Sequence, residues 1–146
     1  RLQGYMAGLV EAGLSLQPNL LWRVDFSMSG GKKAFQAQNY LPPQQRPTAI
    51  FAANDETAFG VMVGLRRLGW QVPQNISVCG FGDLPVAQAI GPALTTVRIG
   101  LRELGQAGAR KALSLLKNET VETVEISPVR VVERDSTATL AQTQSL

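Results

Sequence analysis

The chain has 146 residues, 45% of them hydrophobic, with a formal charge of +3 and no histidine. That is one domain's worth of chain with enough apolar residues for a core. The missing histidine excludes Ser-His-Asp and Cys-His catalysis and the imidazole ligands of most zinc sites. Lys and Arg are scattered, so no basic stripe suited to nucleic acid is expected.

Cys79 is the single cysteine. It allows no intramolecular disulfide framework and reads as a small core residue. No apolar stretch reaches the ~18 residues of a membrane span. The chain opens with Arg1 inside a helical pattern and shows no signal peptide. It is therefore read as a piece of a longer protein whose N-terminal part is missing.

Along the chain, RLQGYMAGLVEAG at 1–13 puts Leu2, Tyr5, Met6, Leu9 and Val10 on one helical face, with Gly13 as the stop. LLWRVDF at 20–26 predicts a strand. SMSGG at 27–31 reads as a loop with capping residues, and Gly30-Gly31 as a helix start. The helix then runs to about Leu41, ended by Pro42-Pro43. TAIFAA at 48–53 is a short run apolar on both faces, as in a covered parallel sheet. Residues 56–69 carry Ala58, Val61, Met62, Leu65 and Leu68 at helical spacing, closed by Gly69. ISVCGF at 76–81 predicts a second buried strand.

PALTTVR at 92–98 reads as an extended crossing segment. LRELGQAGARKALSLLK at 101–117 is the clearest amphipathic helix. Two short extended pieces, split by Pro128, are expected over 121–134. The last dozen residues, and 138–146 in particular, read as a loose polar tail. This alternation of strands and helices predicts an α/β fold with a mainly parallel sheet flanked by helices.

In open α/β sheets ligands bind beyond the carboxyl ends of the strands. Three predicted strands end in polar groups: Asp25 and Ser27 around Phe26, the Asn54-Asp55 pair, and Asp83. A parallel sheet would gather them along one edge. Asn54 offers donors and an acceptor to a hydroxyl-rich ligand. Phe26 could stack on a sugar ring or belong to the core. Asp55 reads as the cap of the following helix. Asp83 serves equally as a turn residue or a ligand contact. Neither GxGxxG after a strand nor GxxxxGK[ST] is present, and no spaced acid pair marks a hydrolase. No enzyme activity, cofactor or metal is expected.

In order along the chain, RLQGYMAGLVEAG, RPTAIFAANDETAFGVMVGLRRLGWQVPQNISVCGFGD, PALTTVRIGLRELGQAGARKALSLL and VRVVERDST resemble the lactose/galactose-repressor family of bacterial transcription regulators. The resemblance covers Arg1 to about Thr137. It implies one lobe of a periplasmic-binding-protein-like sensor, in which two lobes close on a small effector. It also implies a cytoplasmic homodimer whose absent helix-turn-helix head, and not this segment, binds operator DNA. Residues 1–91 and the return strand 123–137 would form the C-terminal lobe, while 92–122 would cross to the other lobe. The first strand of the lobe would be missing. Without the other lobe, the apolar face of helix 101–117 is expected to pack on a second copy, fold back or be mobile.

The resemblance assigns effector binding to Arg1, Phe26 and Asn54, and makes Asp55 structural; the family's G-[FY]-D-D run falls on Gly80-Phe81-Gly82-Asp83, with Asp83 as a further candidate contact. Gly82 stands where the family usually has an aspartate. Beside the retained Arg1, that change implies a sugar acid such as gluconate rather than a neutral sugar. Dimer contacts are placed near 59–68 and 84–90, through Phe59, Met62, Val63, Leu84 and Val86, unless these face the sheet. The competing readings are a periplasmic solute-binding protein, which an upstream secretory signal would mark, and a carboxylate-dependent sugar hydrolase.

Overall fold

The computed structural model describes residues 1–38, 45–89, 91–122, 124 and 127–139. Periodic segments become helices α1 (Leu2–Glu11), α2 (Met28–Gln38), α3 (Asp55–Arg67) and α4 (Leu101–Leu116). The short apolar runs become strands β1 (Ala49–Phe51), β2 (Ser77–Gly82), β3 (Thr95–Ile99) and β4 (Val129–Val132). The strands lie in the order β1-β2-β3-β4. β1, β2 and β3 are parallel, and β4 runs antiparallel to β3. The expected α/β architecture with a mainly parallel sheet is the one observed. The expected helix beyond Gln38 and its Pro42-Pro43 stop lie outside the described residues.

The core forms where α3 lies on the sheet. Ala58, Phe59, Val61, Met62 and Leu65 pack with Ile76, Val78, Ala87 and Leu94. α3 is buried on its other side too, against α2. Glycines permit that contact. A Cβ on Gly31 would overlap the Thr57 carbonyl, one on Gly60 the Met28 carbonyl, and one on Gly64 would lie 3.3 Å from the Lys32 carbonyl. The two helix backbones therefore touch at Gly31, while Gly30, also in the first turn of α2 as expected, makes room for the Asp25 carbonyl.

Gly60→Ala is expected to force α2 and α3 apart and cost about 2–3 kcal/mol in urea unfolding. Gly105→Ala, on exposed α4 with nothing within 4 Å of the added carbon, should instead stabilise by about 0.5–1 kcal/mol. Equal effects at the two sites would contradict the helix contact.

Three expectations are corrected. Residues 21–25 form no strand. A groove of about 440 Å³ lies along this segment and β1, lined by Leu20, Leu21, Trp22, Ile50, Phe51 and Tyr5 among others. Among the described residues the segment pairs with no strand, and the hydrogen-bonded ladder that defines a strand is absent. For the same reason β1 is not covered on both faces: Phe51 is 39% exposed, touched by the stacked Tyr5 ring with centroids 6.2 Å apart.

The polar tail is also not loose throughout. Ser136 is fully buried. Its hydroxyl donates to the Val78 carbonyl at 2.6 Å and accepts from Thr95 N at 2.8 Å, and Ala138 N donates to Ser77 Oγ at 3.1 Å. Residues 140–146 lie outside the described residues. Of the two extended pieces expected over 121–134, β4 is the one observed; residues 123, 125 and 126 are not described.

α4 leaves the sheet directly after β3. Only Ala107 on it is buried, and Leu101, Leu113, Leu115 and Leu116 are more than half exposed. α1 likewise has no buried residue. Much of both apolar stripes stays exposed in the single chain.

Candidate functional site

β1 and β2 run parallel with Phe51 opposite Cys79, so their carboxyl ends share one edge. At the end of β1 the chain turns into α3. Asn54 has extended backbone, and its Oδ1 accepts from Thr57 N at 2.9 Å. Asn54 is therefore the helix cap, correcting the assignment of that role to Asp55. Its amide NH2 group remains a donor on the edge.

Asp55 does something else. It is fully buried. One carboxylate oxygen accepts from the Thr96 hydroxyl at 2.6 Å and the other from Leu84 N at 2.7 Å. It ties the start of α3 to β3 and to the loop after β2, and the helix N-terminus favours its charge. Gly80 makes room for it: a Cβ there would overlap Asp55 Oδ1 and approach Leu94 Cδ2 to 2.9 Å.

Arg1 reaches the same edge. Its Nη1 donates to the Ala53 carbonyl at 2.8 Å. Its guanidinium carbon lies over the Phe81 ring at 4.3 Å and over the Phe26 ring at 5.5 Å. Arg1, Phe26, Phe81 and the Ala53-Asn54 corner thus converge. Phe26 is 58% exposed, a surface ring and not a core one. Ser27, near it, caps α2 through its hydroxyl, which accepts from Gly30 N at 3.1 Å.

Gly82 has φ +134° and Asp83 φ +57°. The first conformation is essentially reserved for glycine; the second is tolerated by aspartate. The turn sends the Asp83 carboxylate to Arg98 and Arg134, and Arg134 also donates to the Leu94 carbonyl at 2.7 Å. Burial alone would raise the Asp83 pKa, but hydrogen bonds from Arg134 and Arg98, together with their charges, hold it below the usual carboxylate value. Both oxygens of Asp83 are thus engaged within the chain.

Sequence reasoning gave Phe81, Arg98 and Arg134 no role. Only Phe81 carried a signal, as an aromatic at a strand end within a quoted motif. Arg98 and Arg134 lie 36 residues apart in sequence and meet only in the sheet. Cys79 is half-buried; burial first, and then the Asp55 charge, push its thiol pKa up, so it is a poor nucleophile. Phe59 and Met62 face the core at 1% and 7% exposure, so of the apolar residues expected at 59–68 for a dimer only Val63 is exposed. Among the described residues no group of three His, Cys, Asp or Glu could hold a metal ion, and no helix is long and apolar enough to cross a membrane.

A mainly parallel sheet flanked by helices, with an arginine, aromatic rings and an amide gathered at its carboxyl edge, has the architecture of a periplasmic-binding-protein-like fold. The model of the periplasmic binding protein-like domain matches residues 1–137, and the chain belongs to that family. Its relatives are LacI-family repressors. It is 36% identical over 140 residues to the HTH-type transcriptional repressor PurR of Klebsiella pneumoniae strain 342, covering 94% of this chain and 40% of that one. It is 32% identical over 134 residues to the ribose operon repressor of Haemophilus influenzae, covering 90% and 40%.

Among solved structures, a LacI-family regulator from Enterococcus faecium with bound ribose matches with TM-score 0.80 and 30% identity, over 96% of this chain and 51% of that one. A LacI-type regulator from Bifidobacterium animalis subsp. lactis matches with TM-score 0.83 and 27% identity, over 95% and 50%. The chain spans about 40% of the length of the curated relatives it matches.

Proposed function

We propose that this chain is the effector-sensing part of a lactose/galactose-type transcription repressor. In this reading it binds a small sugar or sugar acid and thereby controls operator binding by a helix-turn-helix head elsewhere in a longer protein. The observation that carries the reading is the convergence of Arg1, Phe26 and Asn54 at one sheet edge. An effector that closes two lobes over this edge would shift the population of DNA-competent dimers. The segment 92–122, containing α4, would cross to the second lobe, whose packing would cover the leucines now exposed; 123–137 would return. Such a protein would be a cytoplasmic homodimer with no catalytic role. Asp83 would contribute by fixing the turn beside the effector.

An acidic effector such as gluconate fits the charges best. The Asp55 carboxylate is bonded to Thr96 and Leu84, and Asp83 is shared by two arginines. Among the described residues no carboxylate pairs with Arg1. Gly82 adds none, and its backbone disfavours any replacement. An uncompensated guanidinium suits a carboxylate, which it can bind through paired N–H donors. Titration of the full-length protein with gluconate, ketogluconate and neutral sugars should show the acids binding more tightly. Tighter binding of the neutral sugars would overturn the acid assignment; turnover of sugar phosphates or glycosides would overturn the non-catalytic one.

A further inference from the structure

β2 alternates its side chains. Val78 and Gly80 face α3 and are buried, while Cys79 and Phe81 point to the opposite face. Phe81 is therefore presented on the face from which Arg1 approaches. The Arg1 guanidinium carbon lies 4.3 Å from the ring centroid, closer than to Phe26. Ala53, at the end of the neighbouring strand, accepts one proton from Nη1. A ring face attracts a guanidinium without consuming an N–H, since the donors lie in the guanidinium plane and the attraction acts through the ring's quadrupole. A carbonyl uses one donor and no charge. Arg1 is thus held from β2 and from just beyond the end of β1, with its positive charge intact and, among the described residues, its other N–H groups unspent.

Arginine carries many rotamers, and a binding group that is already ordered loses less freedom when a ligand arrives. We infer that Phe81 is a positioning residue: its ring and the Ala53 carbonyl hold the Arg1 guanidinium in one orientation at the sheet edge, so that the site ranks an anionic effector above its neutral counterpart. The inference rests on the effector-sensing reading and adds to it a residue that does not itself bond the ligand's charged group. The discrimination is set by how firmly Arg1 is aimed as well as by its presence.

The test uses the full-length protein and the variants Phe81→Leu and Phe81→Tyr, with gluconate and glucose as probes. Leucine fills similar space without a ring quadrupole; tyrosine keeps the quadrupole. Calorimetry should show Phe81→Leu weakening gluconate about tenfold with glucose changed by less than about twofold, and Phe81→Tyr restoring gluconate to within about twofold. Equal loss for both probes, or no rescue by tyrosine, would assign Phe81 to the fold alone and overturn the inference. A ligand-free readout separates it from the wider reading. The Arg1 side-chain Nε–Hε resonance should move in Phe81→Leu and stay in Phe81→Tyr. If that resonance ignores Phe81 while gluconate still binds, the effector reading stands and this inference falls. If neither probe binds any variant, the effector reading falls and takes the positioning role with it.

Discussion

Replacing Asp55 with alanine is expected to destabilise the chain by about 4 kcal/mol, read from urea or guanidinium unfolding. Asp55 is fully buried and spends both carboxylate oxygens, one on Thr96 and one on Leu84. Truncation leaves the buried Thr96 hydroxyl and the Leu84 N–H without acceptors and opens a void between α3 and β2. Asp55→Asn keeps one acceptor oxygen and should lose roughly half as much. Thr96→Val in the Asp55→Ala background removes one of the two orphaned groups, so the double variant should be less destabilised than the sum of the singles. Wild-type stability in Asp55→Ala would show that the buried carboxylate does not hold these elements together.

The second large effect is expected at Asp83. Its side chain is 4% exposed and joins Arg98 and Arg134, whose side chains are 40% and 12% exposed. Asp83→Asn leaves two guanidinium groups facing one neutral amide, and should cost about 3 kcal/mol near neutral pH. The pH dependence follows from the sign of the shift. The folded pKa of Asp83 lies below the ordinary carboxyl value of 3.8. A depressed folded pKa means that the contribution is full above the unfolded-state value, and is lost as pH falls through the folded one. The wild type should therefore lose stability in acid through this group, while Asp83→Asn, weaker at pH 7, should show a flatter limb below about pH 4. Parallel acid limbs in the two proteins would contradict the assignment.

These two aspartates mark where sequence reading stopped. Asn54 and Asp55 are adjacent, and both residue types cap helices well. Which one caps depends on where each side chain points after folding. Asp55 is drawn inward because the Thr96 hydroxyl and the Leu84 N–H wait there, 41 and 29 residues away in sequence. Asp83 was legible as a turn residue, but its two arginine partners come from β3 and from beyond β4. The candidate edge was more legible: Phe26 and Asn54 stand at the ends of apolar segments, Arg1 falls on a motif of the resembled family, and the Arg1 contacts with the Ala53 carbonyl and the Phe26 ring bring them together. Phe81 was passed over because a half-buried aromatic on a strand looks like core until the pleat shows its face.

The sequence by itself determined the periodic helices, the central strands and the parallel α/β order, because local hydrophobic spacing and turn residues act over a few positions. It also determined that no histidine chemistry is available. Tertiary structure alone decided that Ser136 is a buried clip between β2 and β3, that 21–25 lacks the ladder of a strand, and that Gly31 and Gly60 bring two helix backbones into contact. Each of these depends on a partner distant in the chain, and a hydrogen bond or close contact has no signature in one partner's residues alone.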